Sequence, residues 1–507
     1  MLSIIKSGGT LGVDGYIIDV EVNISQGLPQ FITVGLPDAS VKESRERVKS
    51  AITNIGLSFP LRKITVNLAP ADIVKQGTLY DLPISIGILA GSGVIKEESL
   101  KDVAFIGELA LNGNLRRVKG ILPIALELKN KGFKRFIVPE ENAKEAALVK
   151  DLDVYGFKNL MDIVEFLNGE KQAEPVSISL EDVFEPDYSL IGDFSEVKGQ
   201  VYLKRALQIA AAGFHNVLMI GSPGSGKTMI ARRFVGILPP MTFEEAIETT
   251  KIHSIAGVLK DYIVRERPFR SPHHTVSDIA LIGGGSYPKP GEVSLAHNGV
   301  LFLDELPEFK RTVLEVLRQP IEDKVVSISR ASGRFEFPAK FQFIAAANPC
   351  PCGYKNDPLK ECKCSPKEIK RYLSKLSGPL LDRIDISVNV LPVKPEDLSK
   401  MEDGESSKSI REKVLTAVEI QRERFKDYPI NFNSEMTPAL MKKFIQLEPK
   451  AEQTLNLSVK KFNLTASSYH RILKVARTTA DLSSSKKIKT QHIIEAINFK
   501  LNEDLLN

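Results

Sequence analysis

A chain of 507 residues, 43% hydrophobic and 26% charged, has the makeup of a water-soluble protein of about three domains. Sixty-eight Lys and Arg nearly balance 63 Asp and Glu, leaving a net charge of +5, which permits contact with nucleic acid without arguing for it. Residues 1–20 lack a basic segment followed by an apolar run, and no apolar stretch reaches bilayer length. The expectation is a cytoplasmic protein with no signal peptide and no membrane partner.

Residues 1–168 alternate short β-branched segments (16–24, 64–68, 103–107, 135–139) with helical patterns (39–55, 140–149), an α/β pattern. A stretch with Pro, Ser and acidic residues at 169–190 predicts a linker. The second unit, 191–394, has apolar runs at 216–220, 300–303 and 341–347, the mark of strands buried on both faces of a parallel sheet. Helices are expected over 227–235 and 311–322. The last part, 395–507, opens with a polar, acidic, Ser-rich linker. It continues as five helices near 411–425, 438–446, 450–462, 467–481 and 490–498. The fold class is α/β with a helical C-terminal part, and no fixed-period repeat is visible.

The chemistry concentrates in the second unit. Gly221, Ser222, Pro223, Gly224, Ser225, Gly226, Lys227 and Thr228 match the phosphate-loop pattern in full, after a predicted strand and before a predicted helix. Glycines let backbone N–H groups turn toward phosphates, Lys227 reaches the outer phosphates, and the Thr228 hydroxyl is a Mg²⁺ ligand. The apolar run 300–303 ends in Asp304 and Glu305. There Asp304 completes the Mg²⁺ shell and Glu305 activates the attacking water. Asn348, at the end of 341–347, either holds the same water or simply opens the Asn348-Pro349 turn. The expected cofactors are ATP and Mg²⁺.

These pieces, in this order, resemble the AAA+ superfamily and its magnesium-chelatase-like branch. Val197-Lys-Gly-Gln200, the phosphate loop, the run from Pro290 to Glu305 and Leu380-Leu-Asp-Arg-Ile-Asp385 carry the likeness, which extends almost end to end. Within the branch the chain is most similar to the YifB/ComM family. The resemblance implies a homo-oligomeric, hexameric ring and makes Arg383 the arginine finger acting on the neighbouring subunit's ATP; the bare residues also allow a salt bridge to Asp382 or Asp385. Relatives place a sensor Arg at the start of a lid helix. Here Ser467 stands at that position, and Arg471, four residues on along the same helical face, substitutes as lid sensor.

Residues 324–338 alternate, turn at Ser332-Gly333 and alternate again, a predicted hairpin. In the resembling clade it projects into the ring channel, where Arg330 and Arg334 would contact the phosphates of single-stranded or branched DNA; as bare residues they read equally well as solvated charges. The segment 269–285, with His273 and His274, resembles the clade's channel-facing insertion. The histidines lack a ligand cluster at metal spacing, so a structural role is expected of them. All four cysteines lie within fifteen positions. Cys350-x-Cys352 and Cys362-x-Cys364 suit structural Zn²⁺, with free thiols or a redox pair as alternatives. Residues 1–168 resemble the Lon-protease-like domain. The positions of its Ser and Lys are held here by Leu79 and Ile124, so no peptidase activity is expected.

The resemblance thus implies an ATP-driven DNA motor, a branch-migration helicase in homologous recombination or natural transformation. The alternative is a magnesium-chelatase-type motor subunit that drives metal insertion or remodels a protein partner.

Overall fold

The structure, a computed structural model, describes residues 1–179, 188, 191–285, 287–330, 333–355, 357–376, 378–392 and 404–501. The expected linkers at 169–190 and from 395 fall partly outside this set, as do Ala331 and Ser332 of the hairpin turn. No helix among the described residues is long and apolar enough to cross a membrane.

The chain divides into two compact units, and both are discontinuous in sequence. The first comprises Met1–Glu185 and Ala246–Val264, the second Pro186–Glu245 and Arg265–Asn507.

In the first unit, seven strands form one mixed sheet. They are β1 (Leu2–Leu11), β2 (Asp14–Ser25), β3 (Gln30–Val34), β4 (Lys63–Ala69), β5 (Val103–Phe105), β6 (Arg135–Pro139) and β7 (Asp153–Phe157), in the order β3-β4-β2-β1-β5-β6-β7. The β1–β2 and β2–β4 pairs are antiparallel and the others parallel. Ile18, Val20, Val22 and Ile24 point to one face of β2 and are buried, as period-two alternation requires. Helix α1 (Ala39–Asn54) and helix α2 (Asp81–Gly91) cover that core. α2 is buried almost all round, and its Asp81 is held by Arg47, Nε to Oδ2 at 2.6 Å and Nη2 to Oδ1 at 3.0 Å. Ile124 lies within helix α3 (Ile121–Asn130) and is 1% exposed; Leu79 packs on the same core as α2.

The inserted segment is tied in by its own polar contacts. Glu145, in helix α4 (Glu140–Ala146), is 2% exposed and accepts from the Ser254 hydroxyl and from the backbone N–H of Leu122 at 3.2 Å. Ser254 Oγ in turn accepts from the N–H of Gly120 at 3.0 Å. Burial pushes the Glu145 carboxyl up, against the hydrogen bond from Ser254.

The second unit is built on a five-stranded, wholly parallel sheet. Its strands are β8 (Val217–Gly221), β9 (Phe269–Arg270), β10 (Val300–Leu303), β13 (Gln342–Ala347) and β14 (Ile386–Val390), in the order β9-β10-β13-β8-β14. Between β10 and β13 in sequence, β11 (Val325–Arg330) and β12 (Gly333–Pro338) form the expected hairpin, with Ser329 opposite Arg334. Strands β8, β10 and β13 are buried at every position, which is why they read as unbroken apolar runs. The C-terminal helices Ser407–Phe425, Pro438–Phe444, Pro449–Lys461, Ala466–Leu482 and Thr490–Leu501 belong to this unit. Val414, Ala476 and Ile493 share a core with Ile344 and Val388 of the sheet. The helix expected over 311–322 is two helices, Arg311–Val316 and Arg318–Asp323. Pro320 has no N–H to offer the carbonyl of residue 316, so the ladder breaks there.

Candidate nucleotide site and the comparisons

The carboxyl ends of β8, β10 and β13 are adjacent, and each delivers part of one cluster. Ligands of open parallel sheets bind at such edges. From β8 the chain enters the phosphate loop and then the helix Lys227–Arg233. Gly226 holds φ at +89°, a left-handed conformation that only glycine adopts without strain and that turns the loop directly into the helix.

Lys227 is 7% exposed, and its ammonium donates to the carbonyls of Gly221 at 2.8 Å and Ser222 at 2.9 Å. It also lies 3.4 Å from Oδ1 of Asn348, at the end of β13. Burial lowers the Lys227 pKa, while Asp304 and Glu305 pull it back up. The site therefore holds a buried cation beside two carboxylates. The Thr228 hydroxyl donates to Oδ2 of Asp304, whose Oδ1 accepts from the Glu305 N–H at 2.9 Å. A hydroxyl and a carboxylate in direct contact are hard oxygen donors, and that donor set fits Mg²⁺.

Glu305 sits at φ +51°, so the chain turns sharply as it leaves β10 and the carboxylate stands clear of the sheet. Oε2 of Glu305 lies 3.5 Å from Nδ1 of His274. His274 lies against His273 with the rings tilted by 35° and their centroids 4.1 Å apart, and it meets Phe309 edge-on at 6.4 Å. The sequence assigned the histidines a structural role; the contact of His274 with Glu305 joins positions thirty-one apart, and no local pattern announces it. Asp357 was missed for the same reason. Its carboxylate accepts from the Ser222 hydroxyl of the phosphate loop.

Arg383 and Arg471 are not part of this cluster. Arg383 precedes β14, whose Ile386 pairs with Val217 at the start of β8, whereas Gly221 at the phosphate loop pairs with Val390. Four strand steps, about 13 Å, separate the two ends of the sheet. The Arg383 guanidinium pairs with Glu322 and donates to the Pro379 carbonyl, rather than pairing with Asp382 or Asp385. Arg471 lies at this same end, its Nε 3.8 Å from Oδ1 of Asp385 and its Nη2 2.9 Å from Ser467 Oγ. Burial works against ionisation of Asp385, but the hydrogen bond from His215, with the His215, Arg471 and Lys474 charges, outweighs it and holds the carboxyl below the usual range.

On the hairpin, Arg330 donates to the Gly285 carbonyl at 3.2 Å, and Arg334 pairs with Glu336 at 2.8 Å; both arginines are exposed. The four cysteines come together, with all four sulfurs within 4.8 Å of one another. The separations are 3.4 Å for Cys350–Cys352, 3.6 Å for Cys350–Cys362 and 3.6 Å for Cys352–Cys362.

Three family descriptions match the chain. Residues 193–398 match "Magnesium chelatase, subunit ChlI", residues 20–142 match "Subunit ChlI of Mg-chelatase", and residues 404–500 match "Magnesium chelatase, subunit ChlI C-terminal". Competence protein ComM of Haemophilus influenzae is 45% identical over 512 residues, covering 100% of this chain and 98% of that one. The Escherichia coli protein YifB is 42% identical over 515 residues, with the same coverage. DNA replication licensing factor mcm6 of Dictyostelium discoideum is 22% identical over 310 residues, 59% of this chain and 32% of that protein. Matches that together span nearly the whole chain place it in the magnesium-chelatase-like AAA+ ATPases, as a member of the YifB/ComM family.

Proposed function

We propose that this protein is an ATP-hydrolysing ring motor that acts on DNA, a ComM-like branch-migration helicase in homologous recombination or natural transformation. One observation carries the reading. Lys227, Thr228, Asp304, Glu305 and Asn348 meet at one end of the sheet, while Arg383 and Arg471 gather at the other, where they cannot serve the same chain's nucleotide. Such a division is useful only when one subunit's arginines face the next subunit's nucleotide, as in a closed, head-to-tail ring; the family's habit of hexamers suggests six.

In this reading the loop Gly221–Gly226 cradles the phosphates and Lys227 neutralises the outer ones. Thr228 and Asp304 would hold Mg²⁺, which would offset phosphate charge when bound. Glu305 takes the proton of the attacking water, and Asn348 orients that water. Arg383, arriving from the neighbour, stabilises charge on the transferring phosphoryl group, with Arg471 as the lid's sensor beside it. Residues 1–168 serve as an assembly or DNA-binding unit without peptidase chemistry, 191–394 as the motor core and 395–507 as linker and lid. The four cysteines hold structural zinc.

The partner is read from the hairpin and from the relatives. Arg330 and Arg334 flank the tip, and the Arg334–Glu336 pair is exposed, so little holds it against a phosphate. Relatives bear the names competence protein and DNA replication licensing factor. ATP turnover measured with and without single-stranded or four-way-junction DNA tests the assignment. Stimulation by DNA is expected, whereas stimulation only by a tetrapyrrole-binding partner protein would transfer the chain to the metal-insertion reading. Replacing Arg330 and Arg334 together with Ala is expected to remove the DNA-stimulated part of turnover and to stop junction unwinding; unwinding at the parent rate refutes the hairpin's role.

The His274 contact adds a smaller prediction. A carboxylate turned toward His274 is not free to receive a proton. A partly exposed contact of this kind, an ion pair only when the imidazole is protonated, is worth at most about 1 kcal/mol, a factor of at most about five. His274→Ala is therefore expected to raise DNA-independent turnover by a few-fold at unchanged ATP affinity, as read from steady-state kinetics. A fall in kcat would mean that the imidazole supports Glu305 instead of restraining it.

A further inference from the structure

The cysteine loop lies between Asn348 of the nucleotide cluster and the helix Pro366–Leu373, and it touches the phosphate loop at two independent points. Gly353, one residue past Cys352, has φ +85° and backs directly onto Pro223: a β-carbon there would stand 2.4 Å from the proline Cδ. Asp357, midway between the two cysteine pairs, takes the Ser222 hydroxyl with one carboxylate oxygen. Its other oxygen accepts from the N–H groups of Leu359 at 2.8 Å and Lys360 at 3.0 Å. Lys355, Asp357 and Pro358 also line a small cavity together with Gly221 and Ser222.

The sulfurs are arranged for a metal. A tetrahedral zinc with sulfurs at about 2.3 Å requires sulfur–sulfur edges of about 3.8 Å. The separations of 3.4 and 3.6 Å approach that edge and are far from a disulfide. Backbone N–H groups already point at two of the sulfurs, Lys355 to Cys350 at 3.3 Å and Cys352 to Cys364 at 3.4 Å, the kind of support that orients thiolate ligands. The nine residues between the pairs are mostly polar, so without a tether they hold Gly353 and Asp357 in place only at the cost of their own ordering entropy.

We infer that the four-thiolate site binds zinc and that the zinc-held loop is a clamp on the phosphate loop, so that metal occupancy sets nucleotide affinity. This rests on the reading of Gly221–Thr228 as the ATP site and of the cysteines as a zinc site. With the sulfurs joined to one ion, Gly353 buttresses Pro223 and Asp357 holds Ser222, and the loop is already shaped for phosphates. When the metal is lost, both supports loosen and the loop must be ordered by the ligand itself.

The test uses the full-length chain, zinc analysis by atomic emission and a fluorescent ATP analogue. One zinc per chain is expected. Stripping it with a strong chelator, or replacing Cys362 and Cys364 together with Ser, is expected to weaken analogue binding about tenfold while circular dichroism is unchanged; zinc added back to the stripped parent restores it. Asp357→Ala is expected to retain zinc and still lose several-fold in affinity, because loss of one charge-assisted hydrogen bond is enough for that. Full affinity in both the stripped parent and Asp357→Ala overturns the clamp and leaves the ATP site standing. A parent that neither carries nor takes up zinc overturns the metal site and the clamp with it. A zinc-loaded parent that binds no analogue overturns the ATP-site reading on which both depend.

Discussion

Arg383→Ala is expected to bind ATP as tightly as the parent and to hydrolyse it about a thousandfold more slowly. Arginine fingers contribute a factor of about 10³ to 10⁵ to turnover because a guanidinium from outside meets charge that develops only in the transition state. In its own chain Arg383 rests on Glu322 and the Pro379 carbonyl, about four strand steps from its own Gly221, so its removal leaves the resident phosphate loop as it was. Mixing separates this account from a structural one. Subunits carrying Arg383→Ala keep an intact Lys227 side, and subunits carrying Lys227→Ala keep an intact arginine side. Each alone should be inactive, and a mixture should regain turnover at the junctions where the two intact halves meet. If the mixture stays as inactive as its components, the site is not shared between subunits.

Lys227→Ala is expected to reduce ATP affinity by a factor of about a hundred or more, read by titration with a fluorescent analogue. A hydrogen bond from an ammonium to an anionic phosphate oxygen is worth about 1.5–3 kcal/mol, and removing the buried Lys227 ammonium forfeits at least one such bond. At this site the loss has two parts. The bound triphosphate would miss the ammonium, and Asp304 and Glu305 would lose a positive charge that offsets theirs. Binding within a factor of three of the parent would show that the loop's N–H groups suffice and that the ammonium acts only later, in turnover.

What could be read in the sequence follows the range of the interactions involved. The phosphate loop was legible because its chemistry demands consecutive residues, and so was Asp304-Glu305 because a fully apolar run announces its strand. Helix α2 was not. Buried nearly all round, Asp81–Gly91 has no polar face and hence no period of 3.6 to detect. Strand β1 is interrupted by Lys6, Ser7, Gly8 and Gly9, residues that carry no strand preference of their own. The arginines were legible as types but not as places. That Arg471 settles beside Asp385, at the end of the sheet away from Lys227, depends on how the C-terminal helices share the sheet's core. The contacts of His274 with Glu305 and of Asp357 with Ser222 were invisible for the same reason, being made across the fold. The cysteine spacing suggested one cluster, and nothing in that spacing told that the loop leans on Pro223.

The interrupted first unit bears on how the protein is made. A ribosome that has emitted the first 185 residues has not yet supplied Ala246–Val264, which that unit contains. Until Ser254 emerges, Glu145 has lost one of its hydrogen-bond donors while occupying a buried position. The amino-terminal body therefore has to wait, incomplete, through synthesis of the phosphate loop before it can close. The first unit is therefore completed only after part of the second has been synthesised, and cutting the gene at the apparent boundary near residue 185 yields a fragment that lacks Ala246–Val264, a segment of that unit.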